Sequence, residues 1–306
     1  MAIGSSFLEI LGRLRLAGLA RCNAPVMEIG AQQLSGTFLD APERVQRLGM
    51  LFGVARPLSL PTARRERIVG PGGLPNLLDP AAPAARIFWE WLGFDYAAID
   101  IDGSPGSIPL DLNFDSVPAE AIGKYPIVTN FGTTEHVANQ LNAFKIIHDL
   151  TPPGGVMIHE LPAQGSFNHG LINYNFKFFW MLARSNDYKF FYARYDEGEA
   201  YEFPKNILEF IGSVDGVIDP ATFAHPVADC GIAVVLQKGR AIPFVPPLDV
   251  DTGTQTDNEA LRRRYWTVFD PDALKRMADP EAAAASVSSA SSPSAETAAC
   301  PITRAI

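Results

Sequence analysis

The sequence predicts an α/β protein with a mainly parallel sheet covered by helices on both faces. Short apolar runs alternate with stretches of helical periodicity through most of the middle of the chain, the pattern of repeated strand–helix–strand units. The 306 residues, 47% of them hydrophobic, are ample for one substantial core with an appended subdomain or tail. Two consecutive runs, Tyr96-Ala97-Ala98-Ile99-Asp100 and Ile108-Pro109-Leu110-Asp111, each end in a carboxylate. Ligands of open α/β sheets bind beyond the carboxyl ends of the strands, so these two acids are read as facing a ligand, with solvated strand ends as the plainer alternative.

Taken in order, Phe7, Ile10, Leu11, Leu14, Leu16 and Leu19 recur at near-helical spacing and predict an N-terminal amphipathic helix within residues 1–23. Pro25-Val26-Met27-Glu28-Ile29-Gly30 reads as a first buried strand feeding a turn. Residues 40–83 lose the regularity: Pro57, Pro61, Pro71, Pro75, Pro80 and Pro83 break it, which marks an insertion, read as a lid over the ligand cleft with a disordered loop as the alternative. A helix over 84–92, with Ile87, Phe88 and Trp91 inward, leads to strands over 96–101 and 107–110. A helical turn over 118–122 precedes a strand over 125–131. A helix over 135–150 carries Val137, Leu141, Phe144 and Ile147 and stops at Thr151-Pro152-Pro153-Gly154-Gly155. Strands over 156–161, 188–194 and 231–237 flank a helix over 174–183. The main α/β domain is therefore expected at 24–240, a C-terminal extension at 241–277, and a disordered Ala/Ser-rich tail at 278–306.

Composition excludes several function classes. The net charge of -9 and the shortness of the basic runs Arg64-Arg65-Glu66-Arg67 and Arg262-Arg263-Arg264 argue against a nucleic-acid partner. Cys22, Cys230 and Cys300 lie far apart without CxxC spacing, so neither a zinc site nor a disulfide framework is expected, and a reducing compartment is. No apolar stretch is long enough for a spanning helix, and the N-terminus has no signal-peptide core. A soluble cytoplasmic protein follows as the expectation, with no stable membrane insertion; oligomeric state is not legible. The five histidines and the carboxylates form no recognisable metal pattern.

Four stretches resemble the class I S-adenosylmethionine-dependent methyltransferases: Val26-Met27-Glu28-Ile29-Gly30, Ala98-Ile99-Asp100, Leu110-Asp111-Leu112-Asn113, and residues 128–137 beginning Val128-Thr129-Asn130-Phe131-Gly132. The Pro-Gly-Gly bend before Val156 is similar to the turn before that family's fifth strand. The resemblance covers about residues 24–237. It implies a Rossmann-like seven-stranded, mostly parallel sheet whose last strand is antiparallel. It also implies S-adenosyl-L-methionine as cofactor, held by Glu28, Gly30 and Gln32 in the first loop, Asp100 and Ile101 at the ribose, Asp111 and Leu112 at the adenine, and Asn130, Phe131 and Gly132 beneath the sulfonium. One departure stands out. The family's first loop carries two or three glycines, and here Gln32 and Leu34 occupy the later places. Either Gln32 reaches the cofactor itself or the loop is closed to it, which keeps a catalytically silent binding protein as the alternative. An NAD or nucleotide-sugar enzyme is disfavoured, because Gly30…Gly36 lacks the middle glycine of the dinucleotide fingerprint and Asp100 lies far beyond its spacing of about 20 residues.

Methyl transfer by direct displacement mainly needs alignment, with a general base when the acceptor is a hydroxyl. Glu135 and His136 follow a strand end, and His169 lies in Gly165-Ser166-Phe167-Asn168-His169-Gly170, a loop that resembles an acceptor-covering loop of a bacterial branch of the family. These three are the catalytic candidates, for a small-molecule or sugar-like acceptor. Alternatives are a structural loop histidine for His169 and a helix N-terminal acid for Glu135. His159 and Glu160 read as a buried polar pair pointing to opposite faces of their strand. His148 and His225 have no role.

Overall fold

The computed structural model describes residues 2–61, 82–101, 106–166, 169–204, 223–249 and 258–270, without the side chains of 196–204 and 223–228. The Pro/Gly-rich part of the 40–83 insertion, the turn after Ile101, the first basic run, Phe167, Asn168, Cys300, the expected tail at 278–306 and the side chain of His225 lie outside them. The elements are β1 (Ala2–Ile3), α1 (Ser5–Leu16), β2 (Pro25–Ile29), β3 (Gln33–Leu34), α2 (Gly36–Leu39), α3 (Pro42–Leu51), α4 (Ala85–Trp91), β4 (Asp95–Asp100), β5 (Ser107–Pro109) and β6 (Ile127–Phe131). They continue with α5 (Gln140–Leu150), β7 (Val156–Gln164), α6 (Phe176–Asn186), β8 (Tyr188–Pro204), β9 (Phe223–Lys238) and α7 (Glu259–Arg264).

One seven-stranded sheet runs β5-β4-β2-β6-β7-β9-β8, and β1 and β3 form a separate parallel pair. The pairs β5–β4, β4–β2, β2–β6 and β6–β7 are parallel, while β9 is antiparallel to both β7 and β8. The last strand of the sheet is thus the antiparallel one, and the fold class read from the sequence holds. In the central strands nearly every residue is buried, as a doubly covered sheet requires. Alternate side chains feed two cores. Val26, Ile127, Phe131 and Val156 pack with α1, α3 and α4, whereas Met27, Val128, Met157 and Val234 pack with α5 and α6.

Several local expectations change. The 40–83 segment is not irregular throughout: α3 begins with Pro42, which suits a first helical turn, and buries Val45 and Leu48. Gly49 lets Trp91 lie against α3, since a Cβ there would sit 2.7 Å from the indole Cζ2. In α4 Phe88 and Trp91 are buried as expected, Trp89 is buried as fully as Phe88, and Ile87 is only half-buried. Leu16 and Leu141 face solvent despite their place in the apolar stripes. Val137 precedes α5, because a 3₁₀ turn at Thr134–His136 interrupts the run. Strands β8 and β9 run further than their apolar centres.

Helix α5 is fixed at both ends. Its N-cap Asn139 exchanges two hydrogen bonds with Asn113, the backbone N–H donating to Oδ1 and Nδ2 donating to the carbonyl, at 2.9 and 2.8 Å. Asn142 Nδ2 donates to the carbonyls of Leu112 and Asp115. At the other end Lys238 Nζ, buried, donates to the carbonyls of His148 and Thr151 at 2.7 and 2.9 Å. Among the described residues no helix is long and apolar enough to cross a membrane.

Candidate active site

Strand order reverses between β2 and β6, so a crevice is expected at their carboxyl ends. Gly30 ends β2 with φ +78°, a conformation side-chain-bearing residues resist, and its N–H donates to the Ile99 carbonyl at 2.7 Å. Thr133, just past β6, crosses the crevice: its hydroxyl donates to the Ile29 carbonyl at 2.5 Å. Gln32 lies in the same knot. Its Nε2 donates to the carbonyls of Ile29 (3.3 Å) and Gly30 (3.0 Å) and to Thr133 Oγ1 (3.2 Å). Three acceptors around one amide group fix which end is nitrogen. The other end, Oε1, is buried with no hydrogen-bond partner among the described residues.

Glu28 holds this loop from behind. Its buried carboxylate accepts from Trp89 Nε1 at 2.7 Å, Tyr96 OH at 2.8 Å and the Gln32 N–H at 3.1 Å. Burial pushes its pKa up to about 7 although all three donors favour the charged form. With its oxygens committed inside the protein, Glu28 supports the first loop and does not itself reach outward.

The two acids singled out in the sequence sit at adjacent strand tips. Asp100 ends β4, and Asp111 follows the end of β5 by two residues, the strands being paired through Asp100 and Pro109. Asp100 Oδ2 accepts the Ala31 N–H at 2.8 Å, which ties the first loop to β4. Asp111 Oδ1 accepts the Asn113 N–H at 2.8 Å. Beside them Ile101 is exposed, whereas Leu112 is buried under α5. At the tip of β6 the side chains turn away from the crevice. Asn130 Nδ2 donates to Thr134 Oγ1 and His159 Nδ1, and Phe131 packs on Phe7 with ring centroids 4.9 Å apart. Gly132, at φ +68°, turns the chain at the end of this strand.

The three catalytic candidates do converge. Glu135 Oε1 lies 3.7 Å from His136 Nε2 and 3.6 Å from His169 Nε2. The carboxylate is wholly buried and the imidazoles are about two-fifths exposed, so the rings form a lid over it. The loop after β7 is pinned in place by the Leu171 and Ile172 N–H groups, which donate to the Glu135 carbonyl at 2.7 and 3.2 Å. Gly170 makes that approach possible, since a Cβ there would meet Glu135 Cγ at 2.7 Å. Burial draws the pKa of His136 down, while the Glu135 carboxylate acts the other way. Tyr174, read from the sequence as core, donates to Gln140 Oε1 at 2.5 Å and accepts from the Thr134 hydroxyl at 2.9 Å, bracing the same turn. The sequence reading missed Thr133 and Gln140. Both brace through partners distant in sequence, Ile29 and Gln32 for Thr133 and Tyr174 for Gln140, and only the proximity of Thr133 to Gly132 hinted at a role.

Other expectations resolve simply. His159 is buried between Phe144 and Phe179, and Glu160 accepts from Ser6 Oγ on the other face, so alternation separates the pair as anticipated, but Glu160 is only half-buried. His148 is structural, bonded to Tyr188 OH at 2.6 Å and the Ile242 carbonyl at 2.8 Å. A mainly apolar cleft is bordered by Phe38, Val45, Pro57 and Leu60, with Glu43 and Gln46 of α3 also lining it.

A strand-order reversal between β2 and β6, with acids at the tips of the neighbouring strands β4 and β5, defines an open α/β sheet of the doubly wound kind. A methyltransferase-domain family model matches residues 14–195, more than half of the chain, and the chain belongs to that family, the class I S-adenosylmethionine-dependent methyltransferases. No curated protein sequence matches it. Solved structures similar in fold include Haemonchus contortus phosphoethanolamine N-methyltransferase 2 in complex with S-adenosyl-L-methionine, at 11% identity over 78% of this chain and 53% of that one, TM-score 0.38. The chain thus spans about half the length of the Haemonchus protein. A second is Burkholderia thailandensis 1,6-didemethyltoxoflavin-N1-methyltransferase, at 11% identity over 76% and 78%, TM-score 0.36. A third is N-methyltransferase NodS from Bradyrhizobium japonicum, at 10% identity over 78% and 100%, TM-score 0.35.

Proposed function

We propose that the protein transfers a methyl group from S-adenosyl-L-methionine to a small-molecule acceptor, hydroxyl-bearing or sugar-like, by direct displacement. The observation that carries this reading is the Ala31–Asp100 bond with Asp111 at the next strand tip: one carboxylate locks the first loop while both border the place for an adenosine. The residues fit the cofactor at the other end too. The buried Gln32 Oε1, without a hydrogen-bond partner among the described residues, is an acceptor suited to the ammonium of its methionine end. When bound, the cofactor supplies an electrophilic methyl group on a sulfonium.

The chain's own residues then divide the work. Asp100 accepts hydrogen bonds from the ribose and Asp111 from the adenine side, and the backbone at Asn130, Phe131 and Gly132 floors the crevice. Glu135, His136 and His169 meet the acceptor, with His169, the member carried on the loop after β7, nearest the acceptor's path. A cytoplasmic setting without a nucleic-acid partner belongs to the same reading, supported by the widely spaced cysteines and the charge of -9. Calorimetric titration with S-adenosyl-L-methionine tests it; no heat at millimolar cofactor would overturn it. The silent-protein reading keeps one supporting observation, the Thr133–Ile29 bond drawn across the crevice. Cofactor consumption in the presence of any acceptor rules that reading out.

A further inference from the structure

We infer that Glu135, His136 and His169 form a binding site for one divalent first-row transition-metal ion. Three observations carry it. First, the three offer one ligand atom each, and these atoms all lie within 4.8 Å of one another. Second, both histidines aim Nε2 at the same carboxylate oxygen, from 3.6 and 3.7 Å. Those separations are too long for hydrogen bonds. They lie at or within about 0.1 Å of the edges of a coordination polyhedron, because ligands 2.0–2.2 Å from a tetrahedral ion lie about 3.3–3.6 Å apart. Third, the Glu135 carboxylate is wholly buried and neither of its oxygens has a hydrogen-bond partner among the described residues. A buried carboxylate left so is costly unless it is paired or coordinates a metal.

Two imidazoles and one carboxylate suit zinc, iron, manganese or cobalt better than magnesium or calcium, which favour all-oxygen sites. The partial exposure of both rings leaves a route from solvent and open coordination positions on the outer side. The local backbone is already arranged for it. Gly170 brings the His169 loop against Glu135, and the Glu135 carbonyl clamps Leu171 and Ile172. The sequence conceals the site because its ligands come from two loops, one after β6 and one after β7, at a spacing no motif describes. The inference deepens the proposed function, since such an ion would meet an oxygen of the acceptor, but its test needs neither cofactor nor acceptor.

The test is titration of the full chain, tag-free and stripped by chelator, with cobalt(II), followed by visible absorption and checked by elemental analysis after dialysis. One equivalent is expected in the wild type. Because changes merely outside a metal's ligand shell already weaken binding by 10–100-fold, His169→Ala should lose more than about 100-fold in affinity. Glu135→Gln should lose at least as much, and thermal melting identifies any variant that has failed to fold. His169→Ala carries the decision, because its side chain is partly exposed and little packing rests on it. No uptake by the wild type, or equal uptake by a folded His169→Ala, overturns the site whatever the cofactor titration gives. Uptake abolished in that variant establishes it, even if S-adenosyl-L-methionine fails to bind.

Discussion

The side-chain amide of Gln32 donates to the carbonyl of Gly30 at 3.0 Å and leaves its own oxygen buried, with no hydrogen-bond partner among the described residues. A glycine at that place would leave room; a glutamine fills it and presents an acceptor. The degenerate loop therefore acquires a polar group where the family pattern has none.

That acceptor yields the first prediction. Gln32→Met keeps the bulk and removes the oxygen, so affinity for S-adenosyl-L-methionine should fall about tenfold or more, the worth of one charge-assisted hydrogen bond. Calorimetry reads it, and an unchanged dissociation constant would mean that Gln32 merely plugs the loop.

Asp100→Ala removes both the proposed ribose contact and the acceptor for the Ala31 N–H. Cofactor affinity should drop by two orders of magnitude or so, while the partly exposed position limits the loss of stability to about 1–2 kcal/mol. Wild-type affinity in this variant would contradict the ribose assignment.

Gly170→Ala places a methyl group 2.7 Å from Glu135 Cγ. The loop must shift, at a cost of about 1–3 kcal/mol. Urea unfolding should show that loss, together with a fall in whatever turnover or metal uptake the wild type has. A variant as stable and active as the wild type would show that the loop does not need its close approach to Glu135.

Acid stability gives a prediction with a defined sign. Burial holds His148 down to about 4 and His159 down to about 3. Between those values and the unfolded value near 6.5, the unfolded chain binds more protons than the folded one, so their contribution to stability is lost as pH falls through that window. Glu28, raised to about 7, works the other way: from about 4.5 to 7 the folded state keeps the proton, and its contribution shrinks as pH rises. Replacing His148 by Gln should therefore reduce the stability difference between about pH 7.5 and about pH 4.5 by roughly 1–3 kcal/mol. An identical difference in the variant would contradict the neutral, buried state of this ring.

Strand positions were legible because apolar runs and their terminal acids are local signals, and Asp100 and Asp111 stand at neighbouring tips as their spacing suggested. Helix α3 was hidden by the prolines around it, and its burial depends on Trp91 from a later helix. The directions of Glu28 and Asn130 could not be read either, because each is set by partners distant in sequence, Trp89 and Tyr96 for one and His159 for the other. Glu135, His136 and His169 could be named singly. Their meeting depends on the backbone clamp at Leu171 and Ile172, a tertiary contact without a sequence signature.

Helix α5 is stapled at its start through Asn113 and at its finish through Lys238. A rod pinned at two points holds the turn that precedes it, so Glu135 and His136 keep their station above the sheet. The Glu135 carbonyl in turn moors the chain that carries His169, so three side chains from two loops share one anchorage.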